Sequence, residues 1–255
     1  MTIGDIENAC ELRAGGGRVR IFRTGVRETV GHLMRLLESH FSSSIYLSVL
    51  GECPIACADV RSEASRTHAS GGALVVDLAN VSTFGCAAFR EGADAFVESL
   101  ADVTGEHGLV AIGFSRDLVS KVPDLNGTLD GWGDLPDGRE LDLLERRQFD
   151  FDSRRRAACD CAQVVAEYLR CHPSVSQVWY PGLKGDPTHE VATRVLQSGF
   201  GPIVDFEARG TVALAPASPA CLRRMPQELH RVVCWGEDPK ELILVLEGAL
   251  GPLSP

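Results

Sequence analysis

The groups able to do chemistry in this 255-residue chain are carboxylates and a serine set at the ends of short apolar runs. Ala73-Leu74-Val75-Val76 is continuously apolar, as a strand covered on both faces must be, and Asp77 follows it. Ala95-Phe96-Val97 repeats the pattern and finishes at Ser99. In open α/β sheets ligands collect at the carboxyl ends of strands, so Asp77 and Ser99 stand where a bound group would be met. Asp77 reads equally as a helix N-cap. Glu52, Asp77, Ser99, Asp102 and His107 would together offer a carboxylate–histidine metal set or a serine–histidine–aspartate relay. No G-x-S-x-G elbow supports the relay, no metal is expected, and His107 reads as structural. Amines able to trap a carbonyl are scarce, since the lysines are Lys121, Lys184 and Lys240 alone.

These groups need a scaffold, and glycine punctuation between short aliphatic runs supplies a βα alternation. Tyr46 to Leu50 and Leu109 to Phe114 are further strands, and Asp59 to Ser70 is a surface helix stopped by Gly71-Gly72. Between Asp124 and Asp150 the turn signals Asn126-Gly127, Asp130-Gly131, Gly133-Asp134 and Pro136-Asp137-Gly138 crowd together, predicting a linker or mobile loop. Ser153 to Cys171 has helical spacing, with Val164, Val165, Tyr168 and Leu169 on one side. Val178 to Tyr180, Ile203 to Phe206 and Arg231 to Cys234 are strands. Asp186-Pro187 and Asp238-Pro239 each offer an N-cap followed by proline at the first helical position. The division expected is a large α/β domain over 1–123, a linker over 124–150 and a small α+β domain over 151–255.

Composition narrows the classes. The net charge of −10 opposes nucleic-acid or anionic-membrane binding, and no apolar run approaches the roughly 20 residues that span a bilayer. The arginines at 146, 147 and 154–156 read as a solvated helix face or an interdomain contact rather than a binding patch. The polar, acidic start is unlike a signal peptide, and nine scattered cysteines read as reduced thiols, so a cytoplasmic protein is expected.

One family accounts for the order of these pieces. Gly92-Ala93-Asp94 through Glu106-His107 resembles the "GAD…HS-x-T-K-Y-x-G-G-H" segment of the Cys/Met-metabolism (trans-sulfuration) enzymes, such as cystathionine γ-synthase, the cystathionine lyases and methionine γ-lyase. His68-Ala69-Ser70-Gly71 through Asp77 resembles "HA-x-G-x-x-x-VVD", and Tyr180-Pro181-Gly182-Leu183, Gly199-Phe200-Gly201 and Glu237-Asp238-Pro239 resemble "YPGL", "GFG" and "EDP". The likeness runs from about Leu36 to Leu250. It implies the aspartate-aminotransferase type (fold type I) fold: part of a large α/β domain, then a small C-terminal α+β domain. It further implies that Asp77 pairs with the pyridine nitrogen of pyridoxal phosphate, that Ser99 hydrogen-bonds its phosphate, and that Arg231 grips a substrate α-carboxylate in two prongs. Arg154 falls on an arginine expected to be structural.

The departures fall on the chemistry. The family's Schiff-base lysine aligns with Asp102, and a carboxylate forms no Schiff base. A negative group there would repel a phosphate by roughly 2 kcal/mol at ~7 Å and an effective dielectric of about 20. Glu52 stands for an asparagine, Ala101 for a threonine. With 76 residues before Asp77 where the family has over a hundred, an N-terminally shortened large domain is implied, without the glycine-methionine phosphate loop. Gly15-Gly16-Gly17 precedes a strand-like run and is not read as a phosphate cradle. The resulting expectation is a catalytically silent relative that holds no cofactor covalently and acts as an interaction or regulatory subunit, homo-oligomeric or paired with a full-length paralogue. The alternative is an active carbon–sulfur lyase or transferase with a displaced lysine or completed by a partner chain.

Overall fold

The computed structural model describes residues 2–105, 108–122, 124–210, 212 and 221–251. In chain order the first elements are α1 (Ile3–Ala14), β1 (Arg18–Arg23), α2 (Val26–Glu38), β2 (Ser44–Ser48), β3 (Leu50–Gly51), β4 (Ala56–Cys57) and α3 (Val60–Ala69). Then come β5 (Ala73–Asp77), α4 (Ser82–Gly85), β6 (Ala95–Ser99), α5 (Ala101–Thr104), β7 (Leu109–Phe114), α6 (Arg116–Lys121) and α7 (Leu125–Leu129). The remainder is α8 (Gly138–Cys171), β8 (Val175–Trp179), α9 (His189–Val195), β9 (Ile203–Ala208), β10 (Leu222–Arg224), β11 (Leu229–Val233) and α10 (Pro239–Leu250). The chain divides into two compact units, 1–49 with 59–151, and 50–58 with 152–255.

The large unit is built on a five-stranded sheet in the order β1-β7-β6-β5-β2. β2, β5 and β6 run parallel; β7 is antiparallel to β6, and β1 to β7. β6 and β7 meet closely because Gly113 lies opposite Phe96, where an added Cβ would come within 2.0 Å of the ring. Residues 3–38, which carry none of the quoted family motifs, form α1, β1 and α2. Thr2 caps α1 with a reciprocal box: its hydroxyl accepts from the Asp5 amide at 3.3 Å, and its own amide donates to Asp5 at 2.7 Å. Thr2→Ala is expected to lower stability by about 1 kcal/mol in a thermal melt.

The stretch 124–150, expected as a linker, carries α7 and the start of α8. Its turn residues serve as helix caps. Asp124 accepts from the Gly127 amide at 3.1 Å. Asp137 accepts from the Glu140 amide at 2.9 Å, while Glu140 accepts from the Asp137 amide at 2.8 Å. Aspartate before a helix and aspartate in a turn use the same side-chain acceptor, so composition alone does not separate them.

In the small unit a four-stranded antiparallel sheet, β10-β11-β9-β8, supplies one side of the core. The second half of α8 buries Ala158, Cys161, Ala162, Val165, Ala166 and Leu169, a stripe of helical period, whereas Val164 from the expected face is exposed. All of these but Ala158 share a cluster with Val204 and Phe206 of β9, Val232 of β11, and Leu242 and Leu246 of α10. Asp238 caps α10 as expected, accepting from the Lys240 amide at 3.0 Å. Asp186 does not open a helix: it closes the turn behind β8, accepting from the Tyr180 amide at 3.0 Å and from the Thr188 amide at 2.8 Å, and α9 starts at His189. No helix among the described residues is long and apolar enough to cross a membrane.

Candidate functional site

β5 and β6 end side by side in the large unit, with Asp77 opposite Val97 in the ladder, so Asp77 and Ser99 lie at the same end of the sheet. Asp77 is not a helix N-cap, since α4 begins after Val81. One of its oxygens accepts from the Ala79 amide at 2.8 Å, closing a tight turn. Tyr46, on β2, neighbours this carboxylate. Burial first, and then the adjoining Asp77 charge, push the Tyr46 hydroxyl pKa well above its usual value. The Ser99 hydroxyl accepts from the Ala101 amide at 3.4 Å. Asp102 is the second residue of α5, one turn beyond Ser99; the described structure covers its backbone. Glu106 and His107 lie outside the described residues.

β1 also ends here. Arg23 pairs with Leu109 at the start of β7, and Val110 pairs with Ser99, so the β1-to-α2 turn at Thr24-Gly25 reaches the same end of the sheet. Gly25 is the N-cap of α2 and supplies no side-chain cap. Its neighbours Thr24 and Val26 belong to no motif of the quoted likeness, which is why sequence reasoning passed over them. Lys121 goes the other way. β7 runs back, placing Phe114 beside Ala95, so α6 starts at the opposite end, a strand length of roughly 13 Å from Ser99. The Lys121 ammonium sits 5.0 Å from the Phe41 ring.

Glu98 is a further residue that sequence reasoning missed. It stands between Val97 and Ser99 and is buried on the face opposite theirs, accepting from the Ser82 hydroxyl and, at 3.1 Å, from the Thr83 amide. Arg13, 3.9 Å over the Phe84 ring, donates to the Thr83 hydroxyl at 3.2 Å and eases the charge. Burial is the larger influence and raises the Glu98 pKa. The available signal was an acidic residue inside an otherwise apolar run.

Arg231 belongs to the small unit and is occupied there. It lies opposite Asp205 in the β9–β11 ladder and grips it with both prongs, Nε to Oδ1 and Nη2 to Oδ2, each at 2.7 Å. The same Nη2 donates to the Glu52 carbonyl at 2.7 Å. Asp205 is wholly buried and accepts in addition from the Ile55 amide at 2.6 Å. The hydrogen bonds to Asp205 hold the Arg231 pKa above its ordinary value, against a smaller opposing effect of burial. Lys184 and Lys240 are in the small unit, in the turn after Tyr180 and the first turn of α10. Among the described residues no group of histidine, cysteine and acidic side chains could hold a metal ion.

Strand ends that carry an acid and a serine, in a mixed sheet followed by a small α/β unit, define a fold that comparison with known proteins identifies. The family model for Cys/Met metabolism PLP-dependent enzymes matches residues 28–222, and the chain belongs to that family. Cystathionine gamma-synthase 1, chloroplastic, of Arabidopsis thaliana is 31% identical over 159 residues, 61% of this chain and 28% of that protein. An L-methionine gamma-lyase of Fusobacterium nucleatum subsp. polymorphum is 26% identical over 170 residues, 65% of this chain and 42% of that one. The matched stretch thus spans less than half the length of either relative. The crystal structure of metB from Corynebacterium glutamicum superposes with a TM-score of 0.81 at 20% identity, covering 99% of this chain and 85% of that one. Apo CalE6, a methionine gamma lyase from Micromonospora echinospora, gives 0.80 at 18% identity, covering 98% and 86%. The fold is therefore the fold type I, aspartate-aminotransferase kind, and the superposition takes in the first 35 residues.

Proposed function

We propose that this chain is a catalytically silent member of the pyridoxal-phosphate-dependent trans-sulfuration family, acting as an interaction or regulatory subunit with itself or a full-length paralogue. The observation that carries the reading is the Arg231–Asp205 pair. The guanidinium that the family likeness assigns to a substrate carboxylate already holds a carboxylate of its own chain in the same two-pronged geometry. An incoming amino acid would have to displace a buried ion pair and leave Asp205 without its cation, which costs about 3–5 kcal/mol.

The large unit supports the same reading. Asp102 takes the place of the lysine by alignment, and Lys121 leaves from the far end of the sheet. Asp77 spends one carboxylate oxygen on the Ala79 amide, and its charge adjoins Tyr46. The residues present do not fit a covalently held pyridoxal phosphate, and no catalytic step is assigned to it. The cysteines are all free thiols, which fits a cytoplasmic setting.

The purified chain is expected to be colourless and to show no visible absorption band that borohydride bleaches, with or without added pyridoxal phosphate. A yellow protein whose band bleaches, and which releases an α-keto acid from cystathionine, cysteine or methionine, would overturn the proposal in favour of a working carbon–sulfur lyase or transferase.

A further inference from the structure

The two edges of the five-stranded sheet are finished differently. At β1 the outward amides are covered: Val19 donates to Glu11 at 2.9 Å, Ile21 to Glu7 at 3.1 Å, and Arg23 to the Asp134 carbonyl at 2.7 Å. Arg18, Arg20 and Arg23 add charge, the usual protection of a sheet edge. At the other edge β2, Ser44-Ile45-Tyr46-Leu47-Ser48, carries no charge and no proline, and its one ladder partner among the described strands is β5.

Hydrogen-bond parity shows which groups face outward. The Ser43 carbonyl accepts from Ala73, and the Val49 amide donates to Asp77, so odd-numbered residues bond toward β5. The N–H and C=O of one strand residue point the same way, so Ser44, Tyr46 and Ser48 present theirs to the open side. The sequence of this edge reads nearly the same in both directions. A two-fold axis through Tyr46 pairs Tyr46 with Tyr46 of a second copy, Ser44 with Ser48, and Ile45 with Leu47. Each outward-facing pair then has the hydrogen-bonded antiparallel geometry, and no like charges meet within the strand although the chain carries −10.

We infer that β2 is the docking edge for a second copy of this chain, joining two five-stranded sheets into one through an isologous antiparallel contact centred on Tyr46. It rests on the interaction-subunit reading only for the kind of partner. That reading fails by colour and this one by mass, so the two failures are distinguishable.

The test is sedimentation velocity on the full chain at micromolar concentration. The unaltered protein is expected at twice the chain mass. Ser44→Lys/Ser48→Lys and Ser44→Glu/Ser48→Glu each oppose like charges across the axis and are expected to weaken the dimer roughly tenfold or more. An equal mixture of the two sets lysine opposite glutamate and is expected to restore it. An unaltered protein of single-chain mass, a dimer indifferent to both double variants, or a mixture no better than its components would each overturn the inference; the first would leave the edge to a strand from another protein. If a variant loses its circular-dichroism signal, hydrogen exchange on the unaltered chain decides. Protection of the Tyr46 amide must then rise with protein concentration, and an unchanged rate overturns the inference.

Discussion

Arg231→Ala is expected to lower the unfolding free energy by about 3–5 kcal/mol, because it strips the cation from a carboxylate with no access to water. Asp205 would keep only the Ile55 amide as a donor. Asp205→Ala also costs, by leaving the Ile55 amide without its acceptor and Arg231 with only the Glu52 carbonyl. The double variant should cost less than the two single losses added together, by about 2 kcal/mol, since once one partner is gone the other has little left to lose. Urea melts at neutral pH on the four proteins measure this directly. Additive losses, or an Arg231→Ala protein within roughly 0.5 kcal/mol of the parent, would place the pair among solvent-screened surface contacts and remove the main support for an occupied carboxylate site.

Glu98→Gln is expected to raise stability at neutral pH by about 2 kcal/mol and to flatten its decline with pH. Burial lifts the Glu98 pKa above the ordinary 4.5, only partly offset by the Ser82 hydroxyl, Arg13 and Thr83. An acid that binds its proton more tightly when folded loses stability as pH rises from its unfolded value through its folded one. Glu7 is shifted the same way, again chiefly by burial, so both carboxylates weaken the large unit above about pH 4.5. Glutamine keeps an acceptor for the Thr83 amide, and Arg13 retains Phe84, Thr83 and Cys10 as neighbours. Urea midpoints across an acid-to-neutral series should fall for the parent and fall less steeply for the variant, which keeps the Glu7 contribution. A variant less stable than the parent at neutral pH would mean that Glu98 works as a paired charge.

Much of the strand scaffold could be read from the chain because fully buried strands have an unambiguous composition. Ala73 to Val76 and Leu109 to Phe114 admit little else, and Asp77 and Ser99 followed from their ends. The α8 boundary was harder, since Asp124 and Asp137 serve turns and helix caps with the same side-chain oxygen. Residues 3–38 carry no quoted motif, and β1 takes its place through pairing with a strand some ninety positions away. The occupancy of Arg231 depends on Asp205 and Glu52, which are 26 and 179 positions distant. Contacts of that span leave no local pattern. Glu98 left one, and it was overlooked.

The hairpin of residues 50–58 leaves the first unit to pack with the second and then returns, so the backbone passes between the units three times. Severing it only after Phe151 would release 152–255 without the strand pair that donates the Ile55 amide to Asp205, the Cys57 amide to Thr188, and the Glu52 carbonyl to Arg231. The C-terminal portion therefore cannot be expressed as a faithful stand-alone fragment by choosing a single breakpoint. Melting of either portion should be felt by the other through this shared stitch.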